Sequence, residues 1–276
     1  MPATISAAAT QDSQDEQVAT ARRLWVAWQH PQTRSLLPVG CLSALPDGTW
    51  LFWYVQGAHN VPDFRPFASF PDLHREYRST RIFPTFANRI MSRSRPDYAE
   101  YLNALDLDSA AATPFDILAR SSGRRATDKV RVYPEPTVDP VTKVTNCIFL
   151  AHGVRHIDGA SERIERLRAG DRLELRTDPA NPVNPRALLM DAEHGHPVGY
   201  VPEVLLDYVH TVRDYRGAEV RVDRVNPPPA PATLRLLCWL AGRWPPGPLP
   251  FTGPEYEPIP AQNRRGSAGS RLRSSS

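Results

Sequence analysis

Residues Phe149–Glu203 read FLAHGVRHIDGASERIERLRAGDRLELRTDPANPVNPRALLMDAEHGHPVGYVPE, and this stretch decides how the chain is understood. Apolar residues alternate in short runs separated by turn formers, the pattern of a small antiparallel β module. Strands are expected at Thr145–Leu150, Arg172–Arg176, Ala187–Asp191 and Val198–Val201. Between the second and third lies Asp178-Pro-Ala-Asn181-Pro-Val-Asn184-Pro, whose asparagines and prolines build turns. Ile164 and Leu167 face inward from a short helix that Ser161 could cap. Pro202 suits the first turn of a second helix, Glu203–Val212, burying Val204, Leu205, Tyr208 and Val209. Ala218–Val225 and Thr233–Leu240 would complete a barrel.

Toward the N-terminus the chain reads as a separate α+β unit. Residues 1–20 are small and polar, the composition of a disordered segment. Arg22–Trp28, Val39–Leu42 and Trp50–Tyr54 read as strands, the last two joined by a Pro46-Asp47-Gly48 turn, with Leu24, Val26, Val39, Leu51 and Trp53 on one inward face. A proline-rich loop over 61–71 leads into helices broken near Pro84 and Pro96, a further short helix after Pro114, and a strand at Lys129–Tyr133. Residues 135–143 form a stiff, proline-spaced linker, and 243–276 a proline-rich and then basic tail expected to be disordered. The domains are therefore 21–134 and 144–242.

Composition bounds the function. Of 276 residues 41% are apolar, enough for a core, and the formal charge of +3 does not by itself name a partner. Arginine supplies all 33 basic residues except Lys129 and Lys143; that suits phosphate recognition, but a GC-rich genome produces the same bias. Cys41, Cys147 and Cys238 are odd in number and far apart, so neither a disulfide framework nor a zinc knuckle is expected. His152, His156, His194 and His196 with Asp191 lack the paired spacing of a metal site. No cofactor is expected, no phosphate-binding loop or nucleophile elbow is present, and nothing points to an enzyme. The start MPATISAAATQDSQDEQ lacks the pattern of a signal peptide, and no apolar run is long enough for a membrane span, so a cytoplasmic location is expected.

The order GVRH, then GDxLxLxxDPxNPxxxxAL, then GYVPE, within Val144–Val225, resembles the HIRAN domain. That resemblance implies an OB-like barrel with two short helices that grips single-stranded DNA, with a preference for a free 3′ end. Carried over residue by residue, Arg155 matches a phosphate-contacting arginine and His156 a stacking position. Asn181 matches the asparagine of the Asn-Pro loop, and Asn184 is placed to bond a terminal hydroxyl. The pattern departs at Val183-Asn184, where family members often carry Tyr-Asp; valine gives up stacking worth about 1–3 kcal/mol per base. Glu203 stands where a basic residue sometimes approaches phosphate. The first half, through Phe83-Pro84-x-Phe86-x-Asn88-Arg89 and the Tyr98–Leu105 and Phe115–Ala119 segments, resembles the small N-terminal subdomain of HipA-type proteins. No kinase catalytic loop accompanies it.

Other readings of the same residues stay open. Arg155 could be solvated or paired with Asp158, Asn181 and Asn184 could simply form turns, and Tyr200 could be a packing residue at the barrel edge. Arg124 and Arg125, in a basic cluster with Arg120, Lys129 and Arg131, are the second choice for phosphate contact. Charge argues the other way, since residues 144–225 hold 11 arginines against 13 acids. The expected protein is mainly β, α+β in class, uses neither metal nor cofactor, and is non-catalytic. Its expected task is binding nucleic acid, single-stranded DNA or DNA ends, in a bacterial cytoplasm and in a repair setting. The alternative is an adaptor for a protein partner, in a defence, repair or toxin-related complex, whose barrel has lost DNA. An unrecognised hydrolase ranks last. The candidate site is Arg155, His156, Asn181, Asn184, Tyr200, Arg124 and Arg125.

Overall fold

The computed structural model describes residues 21–125 and 129–261. The protein is mainly β, with one antiparallel sheet in each half and a few short helices. The expected disorder of 1–20 and the arginines of the tail beyond 261 lie outside the described residues.

In the first half, β1 (Arg22–Gln29), β2 (Leu36–Ala44), β3 (Trp50–Tyr54), β4 (Tyr77–Ser79) and β5 (Val130–Pro134) form a sheet in the order β4-β3-β2-β1-β5. The register puts Leu24 opposite Leu42 and Leu42 opposite Phe52, so these three share the core face. Trp25, Cys41 and Trp53 form the matching row on the other face. The inward set expected from the sequence was therefore out of phase in β3. Phe52 and Tyr54 enter the core; Leu51 and Trp53 do not. Every residue of Trp-Leu-Phe-Trp-Tyr is bulky and both faces are covered, so alternation alone could not set the phase. Phe52 stacks on Phe70 at 4.1 Å between ring centroids, and the Tyr54 hydroxyl donates to the Phe70 carbonyl at 2.8 Å. The proline-rich loop is thereby pinned over the sheet.

Three helices follow: α1 (Pro84–Ala87), α2 (Tyr98–Ala104) and α3 (Pro114–Ser121). Proline occupies the first turn of α1 and of α3, where its missing N–H costs no bond. A capping box between Thr113 and Asp116 starts α3, and Ser122 ends it in the left-handed region at φ 57°.

The second half contains β6 (Thr137–Val138), β7 (Val144–Leu150), β8 (Arg172–Thr177), β9 (Leu188–Ala192), β10 (His196–Tyr200), β11 (Ala218–Val225) and β12 (Leu236–Arg243). Their order is β10-β9-β8-β11-β12-β7-β6. A bridge between His152 and Tyr200 joins the chain just beyond β7 to β10, which closes the six strands from β7 to β10 into a barrel. β6 lies inside the expected linker, which is therefore partly sheet. Helix α4 (Ala160–Arg166) begins after Gly159 in the left-handed region, so Ser161 lies inside the helix and does not cap it. Helix α5 (Leu206–Arg216) follows a 3-10 turn over Glu203–Leu205 and runs past the expected end at Val212.

The barrel wall is apolar on both faces where the halves meet. Phe149, Leu236 and Cys238 point into the barrel core. Their neighbours Leu150 and Leu237 point outward, into a buried cluster with Leu102, Leu105, Ala112 and Ile117 of the first half. Around it, the Arg224 guanidinium pairs with Asp106, Asn226 donates to the Ala104 carbonyl at 2.8 Å, and Arg120 reaches Asp223 at 3.6 Å.

Residues 243–261, expected to be disordered, instead pack on the fold. Trp244 stacks on Tyr208, and the chain then turns back across the outer face of the first sheet. There Tyr256 packs edge-on against Trp25 at 4.9 Å and Ile259 is buried. The Gln56 N–H donates to the Glu257 carbonyl at 2.8 Å, and the Ile259 N–H to Tyr54 at 3.0 Å. This strap makes a 3-10 turn at Pro254–Tyr256 and a bridge from Pro258 to Val55, and its aromatics give it a surface to cover.

Candidate nucleic-acid interface

The site grows from the seam of the barrel. The His152 N–H donates to the Tyr200 carbonyl at 2.9 Å, and the Tyr200 N–H returns a bond to the His152 carbonyl at 2.8 Å. Gly153, at φ 69°, then turns the chain into a 3-10 turn over Val154–His156. The Tyr200 ring lies so close that a Cβ at Gly153 would sit 2.7 Å from its Cδ2. Only glycine fits both the positive φ and this approach. Val154 is buried and anchors the turn, which leaves Arg155 and His156 exposed at its tip. The Arg155 Nε donates to His156 Nε2 at 3.0 Å. Among the described residues no acid lies within ion-pair distance of Arg155; Asp158 instead offers its carbonyl to Arg163.

The Asn-Pro loop is tied to the same seam. The Tyr200 hydroxyl donates to Asp178 Oδ2 at 2.9 Å, and Asn181 Nδ2 donates to that oxygen at 3.3 Å. Asn181 Oδ1 accepts the N–H groups of Val183 and Asn184 at 3.0 and 3.1 Å. Asn184 Oδ1 accepts the Arg186 N–H at 2.9 Å. Both asparagine oxygens therefore shape the loop. Tyr200 is a half-buried pillar beneath the Gly153 turn, and burial together with its bond to Asp178 pushes its hydroxyl pKa up. Val183, 52% exposed, forms an apolar lip.

Facing Arg155 and His156 is the first half of the chain. A cleft of ≈ 550 Å³ lies between the halves, lined by Arg155, His156 and Val183 on the barrel side and by Arg34, Arg124 and Arg131 on the other. Leu36, Tyr101 and Leu234 add apolar surface. Arg124 is thus brought to Arg155, whereas Arg125 is exposed outside the lining. Glu203 is the acid of this lining, and its Oε2 accepts the Leu36 N–H across the domain boundary at 3.3 Å. Burial raises its pKa, opposed by that bond and by Asn184. Its position against Leu36 gives it a docking role that the sequence did not suggest. Some of the acids that made the second half negative pair away from this cleft, as in Arg176–Asp191 at 2.6 Å and Arg235–Glu165 at 2.8 Å.

Arg34 carried no motif; it sits at φ 66° in the β1–β2 turn and comes into play only through tertiary structure. His152, beneath the cleft, has its pKa pushed down to about 4 by burial and then by the positive charges of Arg124 and Arg131. Its ring is therefore neutral at pH 7. The unfolded chain protonates it near 6.5, so this group withdraws stability as the pH falls from 6.5 toward about 4. Glu135, Glu203 and Asp223 have raised pKa values and act in the opposite direction. The readout is accordingly a difference: between pH 7 and pH 5 the urea midpoint of the wild type should fall further than that of His152→Gln. Parallel midpoints would show that His152 is not held neutral.

Among the described residues no group of three or more His, Cys, Asp and Glu side chains could hold a metal ion. No helix there is long and apolar enough to cross a membrane. The three cysteines are buried as free thiols, and burial pushes Cys147 up to about 12.

The second half is thus a closed antiparallel barrel with a cationic turn at its seam. Residues 144–244 match the HIRAN domain model, so the second half of the chain carries a HIRAN domain. A solved HIRAN domain, that of human HLTF, aligns at 17% identity over 36% of this chain and 76% of that one, with a TM-score of 0.27. That likeness is too distant to add to the geometry. No curated protein matches this chain.

Proposed function

We propose that the protein binds nucleic acid, single-stranded DNA or DNA ends, through the Arg155–His156 turn of its HIRAN domain, without chemistry of its own. The observation that carries this reading is the convergence of Arg155, His156 and Arg124 on one cleft, in a chain whose charge count gave no reason to expect it. Arginine offers a planar fork to phosphate oxygens, and the neighbouring imidazole offers a ring face to a base. The HIRAN match supports a nucleic-acid ligand over other anions. A preference for a free 3′ end would rest on the resemblance alone, since Asn184 and Val183 replace the Tyr-Asp pair often found there. A cytoplasmic location and a repair role belong to the same proposal. The likeness of the first half to the HipA subdomain rests on its sequence pattern and adds no activity.

Fluorescence anisotropy with labelled 3′-overhang, 5′-overhang and blunt oligonucleotides tests this reading. Binding is expected for the overhangs, with log K falling linearly against log salt as condensed counterions are released. No binding even at low salt would overturn it in favour of a protein partner, and a pull-down would follow.

A further inference from the structure

The cleft has a second wall that does not belong to the HIRAN domain. We propose that the first half of the chain completes the site, with Arg34, Arg124 and Arg131 holding the phosphodiester backbone opposite Arg155 and His156. This rests on the nucleic-acid reading and extends it: the HIRAN domain is one jaw of a two-jawed grip.

Three observations lead there. First, the cations arrive from unconnected parts of the sequence, the β1–β2 turn, the segment after α3, strand β5 and the barrel turn, yet line one cleft. Second, among the described residues neither Arg34 nor Arg124 has an acidic partner, although arginines elsewhere in this chain are repeatedly paired. Among the described residues the arginines of the lining outnumber Glu203, its one acid, and an anionic ligand relieves the repulsion that remains among them. At the base of the cleft, burial and then the nearby positive charges of Arg124 and Arg131 hold His152 below the usual imidazole range. Third, the jaws are held in place. Leu150 and Leu237 are buried against Leu102, Leu105 and Ile117, and Glu203 bonds to Leu36 beside the cleft. Binding therefore need not order two free domains.

The lining also argues for the class of ligand. An acidic peptide would be satisfied by the arginines alone. Leu36, Tyr101, Val183 and Leu234 sit among them, and a nucleotide chain presents sugar and base surface beside each phosphate.

The test uses the full chain and a labelled single-stranded oligonucleotide, with a poly-glutamate peptide as competitor. Arg34→Asn removes the charge while tolerating the left-handed backbone, and Arg124→Gln removes the second charge. Each is expected to weaken binding on the order of tenfold and to reduce the salt slope by about 1, the signature of one lost phosphate contact. Arg124→Lys should recover the slope. Arg93→Gln, an exposed arginine of the same half outside the cleft, is expected to leave both unchanged. Thermal melts of each variant establish that the fold persists. If the wild type binds and Arg155→Glu abolishes binding while Arg34→Asn and Arg124→Gln change neither affinity nor slope, the second jaw is refuted and the HIRAN site stands. Equal displacement by poly-glutamate would refute the phosphodiester assignment. A wild type that binds no oligonucleotide removes both readings.

Discussion

Arg155→Glu is expected to lower affinity for a single-stranded oligonucleotide by roughly a hundredfold or more, while the melting temperature stays at the wild-type value. Two effects add. The charge-assisted bond to phosphate is lost, worth about 1.5–3 kcal/mol, and a carboxylate then faces the same phosphate, a like-charge contact that costs several kcal/mol more. Stability should not follow, because the side chain is exposed and its hydrogen bond goes to the adjacent His156. The turn itself is held by Val154 and by the two backbone bonds to Tyr200, none of which the substitution touches. Anisotropy and a thermal melt on the same preparation decide the matter. Unchanged affinity would remove Arg155 from the site; a collapsed melt would make it a folding residue.

Leu237→Ala should produce the largest change in stability, a loss of about 2–5 kcal/mol in urea unfolding. Leu237 is fully buried, but outside the barrel core, against Leu102, Leu105 and Ile117. The cavity would open where the halves meet, so oligonucleotide affinity should fall as well, although the residue touches no ligand. A comparison with Val144→Ala, 41% exposed on β7, supplies the surface value, expected within about 0.5 kcal/mol of wild type. A loss below about 1 kcal/mol for Leu237→Ala would mean that the halves do not pack together as described.

The barrel was legible because its strands alternate cleanly and its turns carry their own signals. Ala218–Val225 was bounded correctly to the residue, and the Asn-Pro loop announced itself through its side chains. The first sheet was legible in its strands but not in its phase, since Trp50–Tyr54 is covered on both sides. The strap failed for a different reason. Proline content argued against a ladder or helix, yet the strap holds a 3-10 turn at Pro254–Tyr256 and a bridge from Pro258 to Val55, and it said nothing about the packing of Trp244, Phe251, Tyr256 and Ile259. At the site, Arg155 and His156 came from resemblance and Arg124 from local charge density. Arg34 could not be found in this way, because only the folding of β1 and β2 against the barrel gives it neighbours. Net charge misled most, because a sum over residues says nothing about where the arginines gather in space.

The ring of strands is fastened between His152 and Tyr200 by one pair of backbone bonds, where its other seams run for two residues or more. That short fastening lies beside the residues proposed to meet the ligand. A strand gripping the Arg155 turn would work as a clasp, holding shut the thinnest join in the ring. Occupancy would then be felt as stiffness around the whole circumference, with no lid or hinge required.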